Sequence, residues 1–496
     1  MIIFGARLIR QLKDRDWLQV KTNSRKFLFG VQPKWWVLLA VGVGSFMGSL
    51  DASAVNIILP TLHRELGGSV ATIEWVVTIY LLVVCGLLLT VGRLGDLHGH
   101  KRLYILGFAI FTLGSAICGL VWSVASLVAA RIVQGIGAAI LFSCAPAILT
   151  GNFPASERGQ ALGLQAIMVY MGSMAGPMLG GWLTDHVSWR AVFYINVPVG
   201  LMASFLCIKF IPMDEPKEQR EGFDIAGAIL FMAAFTSLLL GLNQGHARGW
   251  TSRSIEGMMT AAAVLMILFI LLESRLTHPL VDLSLFRRTQ FSMSVTSAVL
   301  NYIAVFTILF LMPFYLIQGR GLSVSQAGLL MTIQPAIMTI SAPLSGILSD
   351  RIGTRRLATL GMALLCAGLF LLSRLNPESS MTYVGGGMGL AGLGTGIFVA
   401  PNNSALMGAA PKHRQGLAAG VLATARNAGM VLGIGIAGAI FTSFLTRHTP
   451  TALFEGIRAS FLAASAMGFL GCLTSAVRKD DRHDSEVARL GVGLTD

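Results

Sequence analysis

Three ionisable side chains interrupt long apolar stretches of this sequence, and their chemistry stands out for that reason. They are Asp51, Arg131 and Arg426. A charged group in an apolar segment is costly, and it usually faces a partner or a water-filled cavity. Burial favours the neutral form of a carboxylic acid and a nearby cation favours its ionised form, so a change in the surroundings of Asp51 would load or release a proton.

Asp51 and Arg131 are predicted to lie at a similar depth. Asp51 lies about eight residues from the outer end of the first predicted helix, and Arg131 about six residues from the same side in the fourth. Two interpretations stay open. Asp51 is a site for a coupling proton or a substrate cation, or Asp51 and Arg131 form a structural pair that only locks helices together.

Arg426 and Glu74 have no obvious partner in the sequence. For Arg426, in the thirteenth predicted helix, three roles stay open: balancing Asp51 electrostatically, binding an anionic group of a substrate, or donating to backbone carbonyls. Glu74 begins the second predicted helix on the outer side, and we interpret it as an interfacial charge rather than a site residue.

The composition defines the elements that must position these residues. Of 496 residues, 54% are hydrophobic and 12% charged, whereas soluble domains carry about 25% charged residues. This excludes a soluble enzyme. Because strand-like alternation is absent, the long uncharged stretches predict an all-α integral membrane protein. We predict fourteen transmembrane helices, near 35–58, 73–92, 103–122, 125–150, 159–183, 191–211, 223–243, 257–273, 290–317, 325–349, 357–374, 381–406, 417–445 and 457–477.

The net charge of +13 indicates membrane orientation rather than binding to nucleic acid. Of the 37 Lys and Arg residues, 27 fall on one set of alternate segments, eight on the other set and two inside predicted helices. Basic residues favour cytoplasmic loops. We therefore predict a cell-membrane protein with both termini cytoplasmic. The basic N-terminal segment lacks the features of a cleavable signal peptide and is interpreted as a tail.

No pattern in the sequence indicates a metal site, a bound cofactor or an enzyme. The six cysteines are scattered singly, without metal-binding spacing. Gly433, Gly435 and Gly438 fit a dinucleotide-binding pattern, but they lie inside an apolar helix with no strand before it. Protons are the only coupling species we expect, and the expected partners are a small-molecule substrate and the lipid bilayer.

A glycine-rich loop occurs twice, 254 residues apart. Its residues are Gly92, Asp96, Gly99, Lys101 and Arg102 in the first copy, and Gly346, Asp350, Gly353, Arg355 and Arg356 in the second. The glycines favour tight turns. The charges are interpreted as a cytoplasmic gating latch that breaks as two halves move, with a pair of tight turns carrying solvated charges as the alternative.

Further glycines repeat at an offset of 257, so the chain reads as two copies of a six-helix unit separated by two helices. Such parallel repeats are typical of secondary transporters, with the substrate site between the halves. The predicted segments are a basic tail over 1–34, a first half over 35–211, a two-helix insert over 212–289, a second half over 290–477 and a tail over 478–496.

The fifth predicted helix carries small residues on one face and a proline. These are Gly172, Gly176, Pro177, Gly180 and Gly181. Small residues let helices approach closely, and proline lets a helix bend. The alternative is an ordinary glycine contact face, as found in many membrane helices.

Together these motifs resemble those of the major facilitator superfamily, in particular its drug:proton antiporter branch with fourteen helices. The resemblance rests on the repeated loop, on Asp51 within the first helix and on the glycine motif of the fifth. It rests also on Arg131 and Gln134 in the fourth helix and on the stretch 189–200, with Asn196, at the entry to the sixth. The sequence departs from the family pattern at Ser53, Leu97, His100, Ala191 and Ile434.

The resemblance implies two pseudo-symmetric halves and an antiporter motif in the fifth helix. We therefore expect a proton-coupled exporter of small lipophilic compounds, cationic drugs among them, acting as a monomer with or without accessory efflux proteins. The alternatives are a dedicated exporter of one metabolite, siderophore or lipid and, more remotely, a transport-dead membrane sensor.

Overall fold

The computed structural model describes residues 32–154, 157–212, 224–276, 283–410, 415–446, 449 and 451–477. This part of the chain consists of helices joined by short connections and contains no strand. The predicted C-terminal tail and all but the last three residues of the predicted N-terminal tail lie outside the described residues.

Sixteen α-helices follow one another along the described chain. Those of the first half are α1 (Pro33–Leu66), α2 (Val70–His98), α3 (His100–Leu120), α4 (Val124–Asn152), α5 (Arg158–His186), α6 (Ala191–Tyr194) and α7 (Asn196–Phe210). The two helices that follow are α8 (Ile225–Arg248) and α9 (Arg253–Glu273). Those of the second half are α10 (Thr289–Pro313), α11 (Val324–Met331), α12 (Ile333–Ile352), α13 (Thr354–Leu372), α14 (Met381–Ala409), α15 (Gln415–Leu445) and α16 (Ala452–Ala476).

Each predicted transmembrane segment falls on a helix. Within the described residues, thirteen segments are long and apolar enough to span a membrane, and α8 contributes a shorter apolar stretch, Ala226–Leu242, where the remaining span is predicted. The protein is therefore an all-α membrane protein with two six-helix halves around a two-helix insert. The exact segment boundaries stay predictions.

Three of the predicted spans are not single α-helices. The sixth divides at Ile195 into α6 and α7, and the tenth divides at Thr332 into α11 and α12. The ninth continues from α10 into a π-helical turn, Phe314–Gly319, directly after Pro313. Hydropathy alone does not reveal these breaks, because apolar composition continues through them.

The two repeated stretches are predicted as loops, but each is helical on both sides of a single glycine that makes the turn. Gly99 lies between α2 and α3 and Gly353 between α12 and α13, with φ angles of +90° and +92°. These angles are unfavourable for residues with a side chain. The expected tight turns are thus present in both copies. We call this end of the bundle the inner end and the opposite end the outer end, following the charge-based prediction.

Equivalent glycines bring equivalent helices together in the two halves. In the first half, a Cβ at Gly137 would lie within 2.4 Å of the Phe111 nitrogen and 2.8 Å of the Gly107 oxygen. In the second half Gly394 is crowded in the same way by α13. In lipid, the hydrophobic effect does little to bring helices together. Membrane helices therefore associate through close packing of faces that carry small residues such as glycine.

The insert helix α8 packs against both halves. Met232 lies over Gly86 of α2, and Leu239 lies over Gly435 of α15. Helix α9 pairs with α8 and presents mostly exposed apolar side chains. The insert therefore lies alongside the boundary between the halves.

Candidate functional site

Asp51 and Arg131, predicted at the same depth, meet in the structure. Arg131 Nη1 donates to Asp51 Oδ2 at 2.6 Å, and both side chains are fully buried. Helix α1 carries Asp51 and α4 carries Arg131. The ion pair thus joins two helices of the first half in its outer portion.

Two amides complete the coordination of the Asp51 carboxylate. Gln134 Nε2 donates to Asp51 Oδ1 at 2.9 Å, and Asn196 Nδ2 donates to the same oxygen at 2.8 Å. Gln134 lies one turn beyond Arg131 on α4, and Asn196 is the first residue of α7. The break between α6 and α7 is thus next to the amide that reaches Asp51.

Arg131 is held by further contacts of its own. Its Nε donates to the carbonyl of Val76 on α2 at 3.0 Å, and its Nη1 also donates to Gln134 Oε1 at 2.6 Å. The guanidinium lies over the ring of Tyr80, 4.0 Å from the ring centroid. A fork of donors shared between a carboxylate, an amide and a carbonyl fixes the orientation of a guanidinium. We call Asp51, Arg131, Gln134 and Asn196 the acid cluster.

The acid cluster is closed to solvent in this conformation. All four side chains are at most 1% exposed. A substrate cation cannot replace Arg131 here without separating the helices. Because the three donors around the Asp51 carboxylate lie on α4 and α7, movement of these helices relative to α1 would change its hydrogen bonds.

The second half has no such cluster at the corresponding positions. The 257-residue offset pairs Arg131 with Met388 and Gln134 with Ala391. Contacts support this register, because Gly114 approaches the backbone of Gln134 and Gly368 approaches that of Ala391. The two halves thus share one helix arrangement, but at these positions the first half has charged and amide side chains and the second half has apolar ones.

The glycine motif of α5 faces two different helices. A Cβ at Gly172 would overlap the Phe46 carbonyl of α1, one at Gly176 would overlap Ser53 Oγ, and one at Gly180 would lie 3.1 Å from Ala54 Cβ. These three residues therefore form a face against α1, the helix that carries Asp51.

Pro177 and Gly181 point instead across the boundary to the second half. A Cβ at Gly181 would lie 2.5 Å from the Val324 carbonyl at the start of α11, and Gly328 of α11 lies directly against the Pro177 carbonyl. Asp185, at the end of α5, accepts a hydrogen bond of 2.7 Å from the Ser325 nitrogen. We call these contacts the first outer seam.

A second outer seam joins α2 and α15. Gly438 of α15 leaves the space that the Glu74 carboxylate of α2 occupies. Glu74 is only 2% exposed. The interpretation of Glu74 as an interfacial charge is wrong: its side chain is buried between the halves because the facing residue is a glycine. At both seams, therefore, the two halves are in contact at the outer end of the bundle.

Arg426 does not join the acid cluster. It lies on α15, half-buried, within interaction range of the Tyr302 hydroxyl on α10 and near Tyr170 on α5. Its Nε is buried without a hydrogen-bond acceptor in the described structure. Asp51 pairs with Arg131 and not with Arg426, and the three roles that the sequence left open for Arg426 stay predictions.

The repeated loops are described only in part. Lys101 donates to the carbonyl of Ile208 at 3.0 Å. The side chains of Asp96 and Asp350 lie outside the described side chains, so the proposed latch stays a prediction. A Cβ at Gly92 would lie 2.9 Å from Ser143 Oγ, whereas one at Gly346 would make only an ordinary contact with Ala400 Cβ.

Sequence reasoning assigned no role to four residues of the site region, although Gln134 and Asn196 stand in stretches that resemble the family's motifs. Gln134, Asn196, Tyr170 and Tyr302 received no role from their spacing, because one amide or phenol in an apolar helix is not distinctive. Gln134 had a usable signal, since it lies three residues after Arg131 and so shares its helix face. Within the described residues, no group of three or more His, Cys, Asp or Glu is placed to hold a metal ion.

Comparison with known proteins gives several relatives of similar sequence. The riboflavin transporter RibZ of Clostridioides difficile is 35% identical over 91% of this chain and 99% of its own length. The multidrug resistance protein Stp of Mycobacterium tuberculosis is 35% identical over 82% of this chain and 76% of its own length. The tetracenomycin C resistance and export protein of Streptomyces glaucescens is 34% identical over the same shares.

The fold has counterparts among solved structures. A bacterial homologue of the human lysosomal transporter Spinster superposes with a TM-score of 0.64 at 16% identity, covering 90% of this chain and 97% of that one. Residues 41–300 and 294–493 match the sequence profile of the Major Facilitator Superfamily. The two profile matches, the relatives of high coverage and the paired helical halves lead to one conclusion: this chain belongs to the Major Facilitator Superfamily of membrane transporters, and it is not an enzyme.

Proposed function

We propose that this transporter is a proton-coupled antiporter that exports small lipophilic compounds across the cell membrane, with both of its termini cytoplasmic. The observation that carries the proposal is the acid cluster, in which a single carboxylate is buried among donors from α4 and α7. A buried acid whose donors lie on other helices changes its proton affinity when those helices move.

Helix α5 physically links Asp51 of the acid cluster to the first outer seam. One of its faces lies against α1, which carries Asp51, and the other forms the first outer seam with α11. Protonation of Asp51 weakens its pull on Arg131, so α1 can shift relative to α4. Because Gly172 and Gly176 touch the α1 backbone, such a shift moves α5 and disturbs the seam.

Export of lipophilic compounds is supported by the relatives. Two of them are named for drug resistance and one of these also for export. An exchange of substrate for protons needs one acid that is alternately exposed to the two sides of the membrane, and Asp51 is the residue we assign to that task. We propose that the chain acts as a monomer, with protons as its only coupling species.

A transporter of one metabolite is the second candidate. It is favoured by the similarity to a riboflavin transporter over nearly the whole of that protein. The acid cluster serves either function, because substrate choice resides in the side chains of the cavity and not in the coupling residue.

The test uses proteoliposomes that contain the purified protein and a trapped pH dye. We expect addition of a lipophilic substrate to move protons across the membrane, and Asp51→Asn to abolish this movement while leaving membrane insertion normal. Glu378→Gln, at an exposed outer-loop carboxylate, is the matched control. Unchanged pH-driven efflux in Asp51→Asn would remove Asp51 from the mechanism. If no compound of a broad drug panel makes the folded wild-type protein move protons, the single-metabolite transporter would be favoured.

A further inference from the structure

We infer that Arg426, Tyr302 and Tyr170 form a substrate site that takes a planar aromatic compound bearing an acidic group, a carboxylate or a phenolate. The inference rests on the proposed function, because it names the class of compound that the transporter would move. Nothing in the family match or in the relatives assigns these residues.

The three residues lie at one depth, near the middle of the membrane. Arg426 is the twelfth residue of α15, Tyr302 the fourteenth of α10 and Tyr170 the thirteenth of α5, counted from their inner ends. At about 1.5 Å per residue, each lies roughly 16–20 Å from the inner end of its helix. The hydrocarbon core is about 30 Å thick, so the group occupies its central region.

The group also bridges the two halves of the molecule. Tyr170 belongs to the first half, whereas Tyr302 and Arg426 belong to the second. All three are half-buried, neither sealed in a core like Asp51 nor fully exposed to the surroundings. A site shared between halves changes shape when the halves rock, which is the requirement for a substrate site under alternating access.

Arg426 has bonding capacity that its described neighbours leave unused. Its Nε is buried without an acceptor, and no described carboxylate forms an ion pair with it. A guanidinium at this depth is costly unless it is paired. Its planar fork of donors fits the two oxygens of a carboxylate, or the oxygen of a phenolate, better than any neutral group.

The aromatic part of the proposed ligand follows from the two tyrosines. Gly429, three residues after Arg426, lets Tyr302 lie against α15: a Cβ there would be 2.9 Å from Tyr302 Cβ. Tyr302 is therefore held on the same helix face as the cation. Tyr170 approaches from the opposite half. Two phenol rings within interaction range of one guanidinium favour a flat aromatic ligand.

The charge of Arg426 at this position disfavours the cationic drugs expected from the sequence. Asp51 is the acid that would have attracted them, and its oxygens are occupied by Arg131, Gln134 and Asn196. The charge presented between the halves at mid-depth is that of Arg426. The site therefore selects acidic and neutral compounds over cations.

Xanthene dyes test this selection because they share one tricyclic ring system and differ in charge. Fluorescein carries a carboxylate and a phenolate, its methyl ester carries only the phenolate, and rhodamine 123 is cationic. We expect the purified wild-type protein to bind fluorescein more tightly than rhodamine 123 in fluorescence-anisotropy titrations. Arg426→Gln should weaken fluorescein binding at least about tenfold and leave rhodamine 123 binding unchanged or stronger.

Three further variants keep the test decisive. Arg458→Gln removes an exposed arginine of the same half and should leave all three affinities unchanged. Arg426→Lys keeps the charge and should preserve the order of the dyes if the glutamine variant does not fold. Tyr170→Leu should weaken all three dyes together, because it removes a ring contact and no charge.

Two results would overturn the inference. One is fluorescein binding that is absent, or no tighter than that of rhodamine 123, in the wild-type protein. The other is fluorescein affinity unchanged in Arg426→Gln. Binding in detergent does not depend on coupling, so failure of the proposed antiport is distinguishable: fluorescein would then bind through Arg426 without moving protons in proteoliposomes.

Discussion

The two halves of this transporter share a scaffold but are built around different chemistry. At the centre of the first half lie Asp51, Arg131 and Gln134, hydrogen-bonded to one another. At the corresponding places of the second half lie apolar residues, Met388 and Ala391 among them. Both halves nevertheless bring their third and fourth helices together through the same spacing of glycines.

The second half therefore acts as an internal control for the first. Its third and fourth helices, α13 and α14, pack without a buried charge, so the acid cluster is not required for this arrangement of helices. Replacing a buried ion pair with apolar residues is often neutral or stabilising, whereas removing one partner is strongly destabilising. The presence of the cluster in one half only is best explained by a function, and the proton-coupling role is the one we assign.

The largest expected effect comes from giving the first half one residue of the second. Arg131→Met leaves the Asp51 carboxylate buried without its cation, and we expect a loss of about 3–5 kcal/mol in the free energy of unfolding. Thermal unfolding of the purified protein in detergent measures it. The triple variant Asp51→Ala, Arg131→Met and Gln134→Ala should recover most of that stability and be silent in proton transport. A triple variant that is as unstable as the single one would contradict the comparison.

The next largest effect concerns α5, the helix that links the acid cluster to the first outer seam. Gly176→Leu forces a side chain into Ser53 and the α1 backbone, and overpacking of this kind costs about 1–3 kcal/mol or displaces helices. We expect turnover to stop. Gly163→Leu is the matched control, since no atom lies within 4 Å of its Cβ position. A fully active Gly176→Leu transporter would reduce the motif to an ordinary contact face.

The smallest effect is expected at the outer seams, where the halves also differ. Asp185 accepts a hydrogen bond across the first seam. The 257-residue offset pairs Asp185 with Thr442, whose hydroxyl donates within its own helix to the Gly438 carbonyl at 2.7 Å. Asp185→Asn should shift the population toward the outward-open state by about twofold to tenfold, while Thr442→Val should not.

Spin labels at Val187 and Leu329, which are exposed on opposite sides of the first seam, would report that shift as a longer distance in pulsed electron resonance. The labelled protein would carry replacements of its six cysteines. An unchanged distance distribution in Asp185→Asn would show that the hydrogen bond does not hold the seam closed.

Much of the fold could be predicted from the sequence, because apolar segments long enough to cross a bilayer are plain in a hydropathy profile. The internal repeat then shows how these segments group into two halves. The breaks at Ile195, Pro313 and Thr332 could not, since composition does not change there. Residue counts along the helices also predicted that Asp51 and Arg131 lie at a similar depth, because each residue adds a fixed rise.

The rest of the site depended on rotation about the helix axes and on contacts between helices far apart in sequence. Asn196 reaches Asp51 only because α7 begins at that residue. Glu74 is buried because Gly438 faces it across the boundary between the halves. Tyr302 and Arg426 are brought together by the approach of α10 to α15 at Gly429. Hydropathy and spacing within one helix contain none of this information.

Proton release on substrate binding is the most direct test of the central claim, that Asp51 in the first half couples transport to protons. A compound that the protein binds would be added to the purified protein in weakly buffered solution containing a pH indicator. The number of protons released per protein molecule would then be measured. We predict release by the wild-type protein and by Glu378→Gln, and none by Asp51→Asn although it still binds the substrate. Equal release by Asp51→Asn would contradict the account and place the coupling proton elsewhere.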